Sequence, residues 1–211
     1  MIANESDAKA YVAERCHDEA IARLDSYVAA LVEENLHQNL ISRASVEQIW
    51  QRHIADSAQL LDHVPGGTTP WLDLGSGPGL PGLVLAILRP DEQFVLVESR
   101  KRRVEFLQTV RAQLNLANVT IEGARLEGID TFVAGVITAR AFAPLPRLIE
   151  LSSRFSTDDT IWVLPKGRSA EQELAALPKN QRKMFHVEQS RTDPEAKILV
   201  GRLVQRKGKR A

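Results

Sequence analysis

The stretch WLDLGSGPGLPG, Trp71 to Gly82, sets a short apolar run directly against a glycine-dense loop. Trp71 to Leu74 reads as a buried strand, and the apolar segment Leu80 to Leu88 as the helix after it. Glycines at such a turn let the backbone bend sharply and approach a ligand with no Cβ in between. In a parallel α/β sheet the turn after the first strand is the usual cofactor seat.

The loop has two registers. Read as GxGxxG, Gly77, Gly79 and Gly82 form a dinucleotide fingerprint, but one that opens late after the strand. Pro78 and Pro81 also remove N–H groups that a pyrophosphate would use. Read as Asp73-x-Gly75-x-Gly77-x-Gly79, the motif starts at the strand end and puts a carboxylate before the loop. That charge repels a pyrophosphate and attracts a cationic amino-acid moiety, such as that of S-adenosylmethionine. Glu98, directly after the second strand Phe94 to Val97, is placed to accept adenosine ribose hydroxyls, a feature shared with NAD sites. A methyltransferase accounts for these features best. A nucleotide-dependent oxidoreductase and a noncatalytic α/β protein stay open on them alone.

Strand and helix alternate after the loop. A helix from about Lys101 to Leu116 carries Val104, Leu107, Val110 and Leu114 on one side. Val119 to Ile121, Val133 to Thr138 and Thr160 to Leu164 are strand candidates, and Lys197 to Val204 reads as a late edge strand. The pattern predicts a mostly parallel sheet covered on both faces. Upstream, residues 1–64 read as helices, with long ones in DEAIARLDSYVAALVEENLHQNL and VEQIWQRHIADSAQLLDHV. The turn formers of PGGTTP, Pro65 to Pro70, divide this helical region from a core over residues 65–211.

A length of 211 residues with 44% hydrophobic content suits one domain with a modest appendage. Cys16 is the sole cysteine and the five histidines are dispersed, so neither a disulfide nor a metal site is expected. The start MIANESDAKA lacks the features of a signal peptide and no apolar run approaches a membrane span, which predicts a cytoplasmic protein. The zero net charge hides a gradient: Met1 to Leu40 holds eight acids and three bases, whereas Ser99 to Arg111 holds five bases and one acid. The terminal RKGKRA adds four bases, and clustered charge of this kind either steers RNA or forms solvated helix faces.

The blocks RHIADS (Arg52 to Ser57), LDLGSGPGLPG (Leu72 to Gly82), KRRVEFL (Lys101 to Leu107), ARAFAPL (Ala139 to Leu145) and LPKG (Leu164 to Gly167) together are more specific than a generic cofactor loop. In this order, over about Tyr27 to Val204, they resemble the bacterial 16S ribosomal RNA guanine-N7 methyltransferase G family, once called glucose-inhibited division protein B. The resemblance implies a Rossmann-like class I methyltransferase fold with an N-terminal helical extension. It also implies S-adenosyl-L-methionine as cofactor, with N7 of guanine 527 (rRNA numbering), in the 530 loop of 16S rRNA, as methyl acceptor. Cofactor contacts are implied at Gly75, Leu80, Leu126, Glu127 and Arg140, and Asp73, Gly77, Gly79 and Glu98 fit the loop and ribose roles of class I enzymes. Where the family often shows tryptophan and asparagine before an NLT-like segment, this chain has VEENLHQNLIS, keeping Asn39 and Leu40.

Guanine N7 carries a lone pair and no proton, so its methylation needs placement rather than a general base. The candidate positioning residues are Arg140, Phe142 and Lys166. Arg140 engages the cofactor carboxylate, an RNA phosphate or a structural partner; Phe142 stacks on the target base or packs beneath it; Lys166 faces the cleft or solvent. Lys101, Arg102, Arg103, Arg125 and Lys166 are the candidate RNA contacts, with Arg111 and the basic tail in support. His53 and Asp56 share a helical face and form an interhelical polar bridge that seats the N-terminal helices over the cofactor, or His53 meets RNA. The expected partner is 16S rRNA or a small ribosomal subunit particle, met by a monomer.

Overall fold

The computed structural model describes residues 1–203. The basic run Arg206 to Arg210, and Val204 at the end of the last expected strand, lie outside the described residues. The chain begins with helices α1 (Glu5–Ala13), α2 (Asp18–Asn35) and α3 (Arg43–Val46), then a π-helical turn at Trp50–Ala55, α4 (Asp56–Ala58) and a 3-10 turn at Gln59–His63. The α/β part follows as β1 (Trp71–Leu74), α5 (Gly82–Leu88), β2 (Phe94–Val97), α6 (Lys101–Gln113), β3 (Val119–Glu122), a 3-10 turn at Leu126–Gly128, β4 (Val136–Ala139) and α7 (Leu145–Ser152). It ends with β5 (Ile161–Lys166), α8 (Ala170–Ala175), α9 (Lys179–Arg182), β6 (Phe185–Gln189) and β7 (Lys197–Gly201).

The strands form one seven-stranded sheet in the order β3-β2-β1-β4-β5-β7-β6. Neighbours from β3 to β5 are parallel, while β7 runs antiparallel to β5 and β6. The class I methyltransferase fold that the sequence predicts is therefore present. The order reverses at β1, which pairs with β2 on one side and β4 on the other, so a crevice opens where their carboxyl ends diverge.

Alternation along the strands divides the core into two layers. Trp71, Phe94, Leu96 and Val163 join α1, α2, α5 and α6 on one face. Leu72, Leu74, Ile137 and Trp162 meet α7 and the segment around Phe155 on the other. Leu24, Tyr27 and Leu31 of α2 recur at helical spacing and are fully buried in the first layer, so the N-terminal helices complete the same core as the sheet.

Three expectations need correction. The second N-terminal helix is broken: Glu5 accepts the backbone N–H groups of Trp50 and Gln51, a contact from α1 that caps the chain where its π-helical turn begins. The strand from Lys197 is interior, because β6, which the sequence reading missed, pairs along it and takes the edge. β4 starts at Val136 rather than Val133, since Val133 is 61% exposed and the Ala134 N–H is taken by the Phe155 carbonyl.

Candidate active site

The glycine loop is held from three sides. Gly75 (φ +65°) and Gly79 (φ +100°) adopt backbone conformations that disfavour any L side chain. A Cβ on Gly79 would stand 2.3 Å from Leu83, and one on Gly75 would stand 2.6 Å from the Phe142 ring. From α2, the buried Tyr27 hydroxyl donates to the Pro78 carbonyl at 3.0 Å; burial raises its pKa, so it stays protonated as a donor. Leu80 is buried beneath the loop.

Asp73 and Glu98 fix the two ends of the seat. Asp73 is buried, and its Oδ2 accepts the Gly82 N–H at 3.2 Å. That N–H opens α5, where a dinucleotide pyrophosphate would seek a donor, so the geometry favours the register beginning at Asp73. Burial outweighs the Ser76 and Gly82 contacts and Arg140 nearby, raising the Asp73 pKa from 3.8 to about 6. Its Oδ1 is buried without a hydrogen-bond partner, as is Oγ1 of Thr138, its register partner on β4. A buried acceptor and hydroxyl left side by side fit the ammonium of an amino-acid moiety. Glu98 accepts from Gly77 N–H (3.0 Å), Ser99 N–H (2.7 Å) and Arg100 N–H (2.9 Å), and lies 3.6 Å from Arg103. With about four acceptor positions on a carboxylate, this arrangement leaves room for one ribose hydroxyl rather than two.

Beyond the loop, a cleft of 1140 Å³ opens at the carboxyl ends of β4 and β5. The helical segment with His53 and Asp56 and the β6–β7 turn around Thr192 wall it on the other sides. Ala141 has a left-handed φ of +54°, rare for a residue with a side chain, and the resulting kink sends Arg140 to His53 while Phe142 folds over Gly75. Arg140 Nη1 lies 3.0 Å from His53 Nδ1, and His53 Nε2 lies 2.9 Å from Ser45 Oγ. A guanidinium only donates, so Nδ1 accepts and the ring proton sits on Nε2. Burial, with Arg140 and Arg52 close by, lowers the His53 pKa to about 3 and keeps the ring neutral. Arg140's other donors have no protein partner among the described residues.

Asp56 Oδ1 accepts from Thr192 Oγ1 (2.7 Å) and Gln59 Nε2 (2.8 Å), tying the N-terminal segment to the β6–β7 turn. Burial raises its pKa despite Arg140 and these donors. Lys166 is nearly enclosed and pairs with Glu173 at 2.8 Å. Burial would raise the Glu173 pKa, but Lys166, Ser169 and the Leu145 N–H together hold it below the ordinary value.

The remaining predicted residues are spread along the edge. Leu126 is buried after β3, and exposed Glu127 beside it faces Arg147 at 3.8 Å. Lys101 and Arg125 are exposed, Arg102 donates to the His37 carbonyl, and Arg111 donates to the Val119 carbonyl. Arg103 stands at the cofactor seat with Glu98. Tyr27, Ser45, Gln59, Glu173 and Thr192 were not singled out from sequence. Tyr27 was legible only as one more apolar position of α2, and polar residues so far apart in the chain show no spacing pattern. No three metal-ligating side chains converge among the described residues.

Comparison with known proteins bears on the whole arrangement. Among solved structures, M. jannaschii TYW2 in complex with AdoMet matches with a TM-score of 0.57 at 13% identity over 80% of each chain. A SAM dependent methyltransferase from Aquifex aeolicus matches with a TM-score of 0.54 at 10% identity, over 74% of this chain and 93% of that one. These likenesses concern the fold. The Ribosomal RNA small subunit methyltransferase G of Erythrobacter litoralis (strain HTCC2594) is 57% identical over 202 residues, 96% of this chain and 98% of its own. That of Rhizorhabdus wittichii (strain DSM 6014 / CCUG 31198 / JCM 15750 / NBRC 105917 / EY 4224 / RW1) is 46% identical over 211 residues, 99% of this chain and 97% of its own. The family model described as rRNA small subunit methyltransferase G matches residues 20–197. That match runs from within α2 to the start of β7 and takes in the glycine loop and the cleft walls from Ser42 to Lys197, so the chain belongs to the rRNA small subunit methyltransferase G family.

Proposed function

We propose that this chain methylates N7 of guanine 527, in the 530 loop of bacterial 16S rRNA, from S-adenosylmethionine. It acts as a cytoplasmic monomer on naked rRNA or a small-subunit particle. Family membership over residues 20–197 is the observation that carries the reading. When bound, S-adenosylmethionine supplies an electrophilic methyl on a sulfonium. Asp73 Oδ1 and Thr138 Oγ1 receive its ammonium, the free donors of Arg140 hold its carboxylate, and Gly75, Gly77, Gly79 and Leu80 line its path. Glu98 meets the ribose, with Leu126 and Glu127 beside the adenine.

The cleft positions the base. The histidine and the lysines that line the cleft are engaged elsewhere: His53 at both ring nitrogens, Lys166 with Glu173 and Lys197 with Gln189. N7 demands no general base. Phe142 and Arg140 border both the cofactor seat and the cleft, which suits them to fix the acceptor base. Lys101 and Arg125, exposed, suit phosphate contacts.

The test is transfer of labelled methyl from S-adenosylmethionine to small-subunit particles and to naked 16S rRNA, both lacking the native modification, with the product base mapped chemically. Labelled N7-methylguanine in the 530 loop is expected. Folded, cofactor-binding protein that labels neither substrate, or labels another base, would rule the reading out.

A further inference from the structure

We propose that Asp56 reads the Watson–Crick edge of the target guanine, its free carboxylate oxygen accepting from the base N1–H and N2–H groups. This rests on the guanine-N7 reading above. Asp56 lines the cleft, and its Oδ1 is locked by Thr192 and Gln59 at 2.7 and 2.8 Å. Oδ2 makes no hydrogen bond among the described residues and is not among the fully buried polar atoms that lack a partner, and Asp56 lines the cleft. Two donors from separate elements therefore fix the carboxylate plane and leave one oxygen presented to whatever enters.

The chemistry of that oxygen selects among bases. An ionised carboxylate only accepts, and guanine is the purine whose Watson–Crick edge offers two adjacent donors, N1–H and N2–H. Adenine would set its N1 lone pair against the carboxylate, an acceptor facing an acceptor, which costs a hydrogen bond and repels. Holding guanine by this edge leaves N7, on the opposite side of the purine, free to face away from Asp56. Arg140 and Phe142 line the same cleft as Asp56, and the Phe142 ring folds over Gly75, so a base gripped at Asp56 lies in the space that borders the cofactor seat. Of the other acids lining the cleft, Glu173 is paired with Lys166, and Asp193 has its Oδ1 engaged by the Glu195 N–H in its own turn.

Small-subunit particles reconstituted with either guanine or inosine at the target position provide the test, since inosine keeps N1–H, O6 and N7 and lacks only the 2-amino group. The full chain is expected to methylate the inosine particles with a kcat/KM lower by about tenfold or more, the effect of one lost hydrogen bond to a charged group. Asp56→Asn should lower kcat/KM on guanine particles and bring the guanine-to-inosine ratio toward one. Asp193→Asn should keep the native ratio. S-adenosylmethionine affinity and thermal melting monitor whether Asp56→Asn is folded, and if it is not, the native protein's comparison of the two particles decides. Equal rates of the native protein on both particles, or a native ratio in folded Asp56→Asn, would overturn the proposal while leaving N7 methylation standing. No transfer by the native protein to guanine particles would remove the guanine-N7 reading and this inference with it.

Discussion

At the scale of single residues, Asp73 and His53 pull the pH dependence in opposite directions. Asp73 has its folded pKa raised from 3.8 to about 6, so the folded state binds the extra proton in that interval. Its contribution to stability is full below the unfolded pKa and is lost as pH rises through about 6, a swing of about 3 kcal/mol. Asp73→Asn is therefore expected to melt above the native protein near pH 8, with the gap closing by about pH 4, while S-adenosylmethionine binding by equilibrium dialysis falls at least about tenfold. A native protein that melts higher at both pH values would refute this. His53 has its pKa lowered to about 3, so its contribution is full above about pH 6.5 and is lost as pH falls toward 3. His53→Asn, which keeps an acceptor for Arg140, should flatten the acid limb of the stability profile, as urea unfolding at a series of pH values can show. Asp73 stood out in the sequence as the carboxylate before the glycine loop, and Arg140 through the ARAFAPL block. The Arg140–His53 contact did not, because its partners lie 87 residues apart and are brought together by the sheet.

At the scale of elements, the glycine loop is a local structure with one long-range clamp. Tyr27→Phe removes the hydroxyl that ties α2 to Pro78 and leaves that carbonyl buried, so urea unfolding should show a loss of about 1–2 kcal/mol, with weaker cofactor binding. Gly79→Ala combines a φ of +100° with a Cβ 2.3 Å from Leu83, and should cost roughly 2–4 kcal/mol. An unchanged urea midpoint in Tyr27→Phe would contradict the clamp, and one in Gly79→Ala would contradict the close packing of the loop on Leu83. The elements legible in sequence were α2, whose apolar residues repeat at helical spacing, and β1 and β2, which stand out as short apolar runs. β6 escaped because Phe185 alone of its five residues is buried, and its apolar alternation is confined to Phe185 and Val187, too short to stand out. The broken second helix escaped for a different reason: its apolar residues keep helical spacing, and the break is imposed by Glu5 from α1.

At the scale of the molecule, the helical region and the sheet share one apolar layer. A chain beginning at Pro65 would uncover the α5 and β1 side chains that meet α1 and α2, and should lack the cooperative unfolding transition of the full chain in a thermal melt. Charge is likewise distributed rather than summed. Arg103 faces Glu98 and Arg102 donates to the His37 carbonyl, whereas Lys101 and Arg125 are exposed. Alanine at Lys101 or Arg125 should reduce the salt slope of RNA binding by about one contact each, near 0.7 on a single strand, whereas Arg103→Ala should weaken cofactor binding and leave that slope unchanged. Equal slope changes for all three would show that Arg103 leaves Glu98 for the RNA.

The sequence by itself determined the strand, glycine loop and helix of the cofactor seat, the alternation that makes a parallel sheet, and the family. Each of these is read from short blocks of neighbouring residues and from the order of the blocks, and within a block turn chemistry and side-chain pattern act directly. Only the tertiary structure decided which polar groups meet: Arg140 with His53, Asp56 with Thr192, Tyr27 with Pro78, and Lys166 with Glu173. Most of these partners are separated by dozens of residues, and they meet because apolar burial packs the N-terminal helices on the sheet, beside its glycine loop and its β6–β7 turn.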